Sequence, residues 1–239
     1  MDLHFLLTND DGIEAPGLAA LAAAVSAIPG ATYTIAAPDR EYSQCGHRVT
    51  TTEVLKVLQK AEHAYAVSGT PADCVRAAVF GLGIKPDFVL SGVNAGGNMG
   101  QDLVISGTVA GAREAAYHGF RSAAFSHYLV KGIALDWERT GRWTTQLIEW
   151  LLGQNLADGE FWNVNYPHLP PGSEALPERL ITSPARPPML VTYDRSEGNA
   201  GEWDLRYTAR YADRPAPVGS DVNVCFGGAV SVSRLSVVA

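Results

Sequence analysis

The chain has 239 residues, 46% hydrophobic and only 18% charged, against about 25% charged in ordinary soluble domains. That balance excludes a disordered tail, which needs the opposite composition, and the length fits one large domain or a small pair. Eighteen Lys and Arg against 25 Asp and Glu leave a net charge of −7. No basic patch offers a grip on duplex nucleic acid, and Gly, Ser or charge interrupts every apolar run well short of a membrane span. Cys45, Cys74 and Cys225 form neither a Cys-x-x-Cys pair nor a disulfide framework, and Met1 to Phe5 lacks the basic and apolar regions of a secretory signal. A reduced, cytoplasmic protein is expected, with no nucleic-acid or membrane partner.

Leu3 to Thr8 is apolar and β-prone, and Asn9-Asp10-Asp11-Gly12 ends it. Pro16 to Ile28 is Ala/Leu-rich and opens on a proline suited to a first helical turn. Tyr33 to Ala37 reads as a second strand, and Thr50–Leu58 with Tyr65–Ser68 as a hairpin beside the main sheet. Asp87 to Leu90 reads as a buried strand, Thr108 to His118 as a helix stopped at Gly119, and Ser122 to Phe125 as a strand. A helix over Trp137 to Leu152 and a strand over Trp162 to Asn165 follow. Strands alternating with helices predict an α/β fold: a Rossmann-like, mainly parallel sheet with helices on both faces.

After Asn165 the character changes, because nine of the chain's 14 prolines fall from Pro167 to Pro217. Such density argues against further helix and for extended, hairpin-rich excursions. Trp203 to Tyr207 reads as an edge or inter-subunit strand, and Val230 to Val238 alternates strongly enough to close a sheet. The expected organisation is a catalytic α/β unit over residues 1–165, with residues 166–239 as a C-terminal extension and oligomerisation arm of the same domain.

Ligands of open α/β sheets bind beyond the carboxyl ends of the strands, and three such ends are unusually polar. Asp10-Asp11 follows the first strand; adjacent carboxylates repel unless a cation or donors neutralise them, which a hard divalent ion does with oxygen ligands. A plain turn before a helix N-terminus explains the pair equally well. Ala37 to Ser43 follows the second strand, where the Ser43 hydroxyl is either an oxygen ligand or a simple loop residue. The third segment, Ser91 to Gly100, holds Asn94, Asn98 and four glycines, and Ser106-Gly107-Thr108 then opens a helix. Free amides, hydroxyls and the positive helix end make that turn an anion site; the alternative is a Gly-rich loop with an ordinary N-cap. The chain carries no Gly-x-x-x-x-Gly-Lys-Ser/Thr loop, no Gly-x-Gly-x-x-Gly after the first strand, no Gly-x-Ser-x-Gly elbow and no paired-histidine metal spacing.

Six segments in order resemble the SurE family of metal-dependent 5′/3′-nucleotidases. They are Leu7 to Ile13 with Ala15 to Leu18, Ala37 to Arg40 with Ser43, Ser68 to Val75, Leu90 to Asn94 with Gly96, Asn98 and Gly100, Ser106 to Ala110, and Asn163 to Asn165. The resemblance implies hydrolysis of nucleoside 5′- and 3′-monophosphates, with short polyphosphate as a further substrate, and one Mg²⁺ or Mn²⁺ per subunit. It further implies Asp10, Asp11, Ser43 and Asn94 as metal ligands, Asn98 with Ser106, Gly107 and Thr108 as phosphate-binding elements, and a homodimer or homotetramer. Two positions depart from the family pattern: Gln44 stands where it has Gly, and Ile105 where it has Tyr. They motivate an alternative, a non-catalytic nucleotide- or phosphate-binding homologue that keeps the metal pocket.

Overall fold

The computed structural model describes residues 3–237. In chain order the elements are β1 (Leu3–Thr8), α1 (Pro16–Ser26), β2 (Ala31–Pro38), β3 (Val57–Ala61), β4 (Ala64–Val67), α2 (Pro71–Arg76), β5 (Phe88–Ala95), α3 (Asp102–Ile105) and α4 (Gly107–Tyr117). There follow β6 (Arg121–His127), α5 (Trp137–Leu152), β7 (Glu160–Tyr166), β8 (Arg179–Thr182), β9 (Tyr193–Glu197), β10 (Trp203–Tyr207), α6 (Asp221–Phe226) and β11 (Val230–Ser236).

Nine strands form one sheet in the order β3-β4-β2-β1-β5-β6-β7-β11-β8. All pairings are parallel except β3 with β4 and β11 with β7. The apolar run Phe5-Leu6-Leu7 in β1 follows from burial on both faces. Phe5 and Leu7 pack with Leu18, Leu21 and Val25 of α1 and with Trp143, Leu147 and Leu151 of α5. Leu6 points the other way, with Val75 of α2 and Ala115 of α4. Truncating a side chain such as Leu6 to Ala costs about 2–5 kcal/mol by the usual cavity penalty.

The sheet winds outward in both directions from β1, to β2 on one side and β5 on the other. The crevice beyond β1 and β5 is therefore the topological switch point, where such sheets bind ligands.

Three expectations need correction. The first hairpin strand begins at Val57, not Thr50. Thr50 is drawn away by the Asp73 carboxylate, which accepts from its amide at 2.7 Å and its hydroxyl at 2.9 Å. The hairpin extends the edge of the main sheet, with β4 parallel to β2. Beyond Pro217 the proline-free chain also makes a further helix, α6, capped by Ser220, whose Oγ accepts from the Asn223 amide at 3.3 Å. β11 joins β7 as expected of the alternating run, but Val238 lies outside the described residues. β9 and β10 form a separate antiparallel hairpin, and the three cysteines are free.

Candidate active site

Asp10 and Asp11 leave the end of β1 in a turn that Asn9 closes by donating its side-chain amide to the Gly12 carbonyl at 2.9 Å. Gly12 takes a left-handed φ of 101° there, a conformation only glycine adopts cheaply. In β5 the pairing register shifts between Ser91 and Asn94, and a bulge of this kind re-aims the side chains beyond it. The loop after β2 is fixed to β1 by the Tyr42 amide, which donates to the Asp10 carbonyl at 2.8 Å.

These three strand ends surround one cavity of about 740 Å³. Asp10, Asp11, Ser43, Asn94, Asn98 and Ser106 all line it, together with Glu41, Gln44, Asp102, Ile105, Met189, Tyr207 and Tyr211. Gly107 and Thr108 do not reach it. Thr108 is fully buried behind Asp10 and donates its hydroxyl to Asp10 Oδ1, and its amide supports the same carboxylate. Gly107 lets the helix approach so closely: a Cβ there would lie 2.8 Å from Asp10 Cβ and 3.0 Å from Cys45 Sγ. Ser106 is the N-cap of α4, its Oγ accepting from the Val109 amide at 3.1 Å; its own proton is left to donate.

Asn98 is fixed on several sides. Its Nδ2 donates to Ser126 Oγ at 2.7 Å, its amide to Asn165 Oδ1 at 2.8 Å, and its carbonyl accepts from Asn163 Nδ2 at 2.9 Å and Asn165 Nδ2 at 3.0 Å. One side-chain N–H of Asn98 remains for a ligand. Asn94 Nδ2 donates to the Gly96 carbonyl at 2.8 Å, so its carbonyl oxygen is the atom left for coordination. Ser43 Oγ donates to Glu41 Oε1 at 2.5 Å.

The cavity's electrostatics are one-sided. Four carboxylates line it, and none of the described residues that line it is Lys, Arg or His. Burial pushes the Asp10 carboxyl up to about 6, opposed by the Thr108 hydrogen bond and reinforced by Asp11. Asp11 is also raised, first by burial; the Ala95 amide acts against this and the Glu41 charge adds to it. Among the described residues no three His, Cys, Asp or Glu side chains gather into a metal cluster. The donors are two adjacent carboxylates with amide and hydroxyl oxygens, a set that suits a hard oxygen-seeking cation and not a thiolate- or imidazole-bound one.

Several site residues carried no role in the sequence reading. Glu41 stood two residues before the marked Ser43, so an acid beside a suspected ligand was its available signal. Asn163 and Asn165 belonged to a matching segment, but only the structure shows them holding Asn98. Met189, Tyr207 and Tyr211 come from the proline-rich last third; Tyr207 carries only the strand signal of Trp203 to Tyr207, and Met189 and Tyr211 carry none.

The family described as Survival protein SurE matches residues 5–185. A protein of Nostoc sp. carrying a provisional 5′-nucleotidase name is 47% identical over 235 residues, covering 98% of this chain and all of its own. The 5′-nucleotidase SurE of Geotalea uraniireducens is 36% identical over 237 residues, covering 98% of this chain and 92% of its own. The crystal structure of the SurE protein from Aquifex aeolicus superposes with a TM-score of 0.85 at 33% identity, over 98% of this chain and 93% of that one.

Proposed function

This chain belongs to the SurE family, and on that premise we propose that it is a divalent-metal-dependent phosphomonoesterase releasing phosphate from nucleoside 5′-monophosphates. The 3′-monophosphates and short polyphosphate are further substrates. The observation that carries the reading is the cavity at the β1–β5 switch point, lined by Asp10, Asp11 and Glu41 and by no basic side chain, the fourth carboxylate, Asp102, being paired with Arg214. Such a site repels a phosphate ester until a cation reverses its potential.

Asp10, Asp11, Asn94 and Ser43 are the residues that would hold one Mg²⁺ or Mn²⁺. When bound, the ion supplies positive charge to the phosphoryl oxygens and polarises water. Thr108 holds Asp10 in one rotamer, and Gly107 leaves room for that contact. Asn98, through its free side-chain N–H, and Ser106, through its hydroxyl proton, donate to the equatorial oxygens as charge develops in the transition state. The wall of Met189, Tyr207 and Tyr211 leaves an apolar end for the nucleoside.

The test is phosphate release from AMP, GMP and CMP with Mn²⁺, compared with EDTA and with Asp10→Asn. Release that needs the metal and disappears in the variant supports the reading; full activity in Asp10→Asn overturns it. Gln44 and Ile105 both line the cavity, which favours a second reading, a non-catalytic nucleotide binder. Binding of AMP without turnover would select it.

No helix among the described residues is long and apolar enough to cross a membrane, which is compatible with the cytoplasmic location we propose. We also propose that residues 166–239 serve assembly into a homodimer or homotetramer. The hairpin β9–β10 supports this by exposing Tyr193, Trp203, Leu205 and Tyr207, an apolar patch of the kind that marks an interface.

A further inference from the structure

We propose that Arg214, which does not line the cavity, is a positioning residue that sets the loop carrying Asn98. The inference rests on the role given to Asn98 above. The loop from Gly97 to Asp102 is pinned at Gly97, Met99, Gly100 and Asp102 by the last third of the chain. Tyr211 donates its hydroxyl to the Gly97 carbonyl at 2.9 Å and to Asp102 Oδ2 at 2.8 Å, sharing one proton. Arg214 Nη1 donates to the Met99 carbonyl at 3.1 Å, and the Gly100 amide donates to Asp221 Oδ2 at 2.7 Å. The Arg214 fork grips Asp102 at both oxygens, with Nη1 on Oδ2 and Nη2 on Oδ1, each at 2.7 Å. The guanidinium also lies 3.8 Å from the centre of the Tyr211 ring.

The Arg214 side chain is 2% exposed, and its Nε finds no hydrogen-bond partner. A buried ion pair is a weak source of stability, since well-packed apolar residues often do as well. What the planar fork supplies is direction: it fixes the carboxylate plane of Asp102, the first residue of α3, and the carbonyl of Met99 next to Asn98. α3 runs straight into Ser106, so both groups assigned to the phosphate hang from the segment that Arg214 holds.

Arg214→Met and Arg214→Lys are compared by AMP hydrolysis and by hydrogen exchange, each alone and combined with Asn98→Ala. Misplacement of about 1 Å costs on the order of 100-fold in rate. The expected result for Arg214→Met is therefore a kcat lower by about 10- to 100-fold with KM within about twofold, and partial rescue by Lys. Exchange should rise in the 97–102 segment and stay unchanged in β1 and β5. Asn98→Ala should cost much less in the Arg214→Met background than in the wild type, because the arginine acts through it. Multiplicative losses, or unchanged exchange over 97–102, overturn the proposal; if Arg214→Met does not fold, Arg214→Lys decides by the same readings. An inactive wild type overturns the nucleotidase reading alone. Exchange in the same samples then supports the clamp if the segment loosens and overturns it if not.

Discussion

Thr108 and Asp10, 98 residues apart in sequence, meet through a hydrogen bond from the threonine hydroxyl to Asp10 Oδ1. The N-terminus of α4, an anion site by its dipole and free amides, is thereby directed at a carboxylate of the protein itself.

Thr108→Val removes this bond with little change in volume. The hydrogen bond lowers the Asp10 pKa, so its loss raises that pKa and puts protons in stronger competition with the metal. A hydrogen bond to a charged group is worth about 1.5–3 kcal/mol, or about 1–2 pKa units, so proton competition at Asp10 should lower Mn²⁺ affinity at pH 7 by about 2- to 15-fold. Calorimetric titration of Mn²⁺ into wild type, Thr108→Val and Thr108→Ser measures it, with Ser retaining most of the affinity. Equal affinity in Thr108→Val would refute the coupling.

Two buried groups give the metal-free protein opposite pH dependences. Asp10 rises from 3.8 to about 6, chiefly by burial, so the folded state holds a proton that the unfolded chain has lost. Stability from this group falls by about 3 kcal/mol as pH rises from 3.8 to 6. His127 falls from 6.5 to about 4, again chiefly by burial. Its contribution is full above pH 6.5 and is lost, by a similar amount of about 3 kcal/mol, as pH drops to 4. The two terms nearly cancel in the metal-free wild type. Thermal melts in EDTA of Asp10→Asn, which removes one term, should show Tm dropping steadily from pH 6.5 to 4.5. A drop no steeper than that of the wild type would count against the assignment.

Glu114 lies 2% exposed at the centre of a cluster. Its Oε2 meets His47 Nε2 at 2.6 Å, and its Oε1 meets His118 Nε2 at 2.8 Å and Arg76 Nε. Burial alone would raise its pKa, but the three hydrogen bonds together outweigh it and hold the carboxyl near 2. The cluster's stability is present above pH 4.5 and lost as pH falls through 2. Glu114→Gln should lower stability by about 2 kcal/mol at pH 7, because the buried carboxylate's charge-assisted hydrogen bonds to Arg76, His47 and His118 give way to weaker neutral ones. Urea denaturation at pH 7 and pH 3 checks both size and sign, since the gap to wild type should narrow at pH 3.

The exposed hairpin makes a prediction of another kind. Trp203→Glu with Leu205→Glu places charge on β10, far from the core and without a cost to the main sheet. Light scattering at micromolar concentration should give at least a dimer mass for the wild type and a smaller mass for the double variant. A monomeric wild type would end the assembly proposal.

Much of this arrangement is written locally in the chain. The apolar run of β1, the Ala-rich α1 and the amphipathic α5 follow from periodicity and burial. Strand alternation with helices is enough for a mainly parallel sheet, and Asp10, Asp11, Asn94 and Asn98 stand out because polar residues collect just where strands end. These signals are short-range, since side-chain pattern and turn chemistry act over a few residues.

Only the tertiary structure decided what each of those groups faces. Thr108, which the family resemblance implies as a phosphate-binding element, turns its hydroxyl to Asp10; Thr50, in a β-prone run, is held by Asp73. Tyr211 reaches Gly97 across 114 residues and Arg214 reaches Asp102 across 112. A hydrogen bond or buried ion pair over such separations imposes no repeat, cap or turn on its neighbours in sequence. Its energy comes from two surfaces brought together by the sheet, so it exists only once β1, β5, β6 and β7 have set the distance between them.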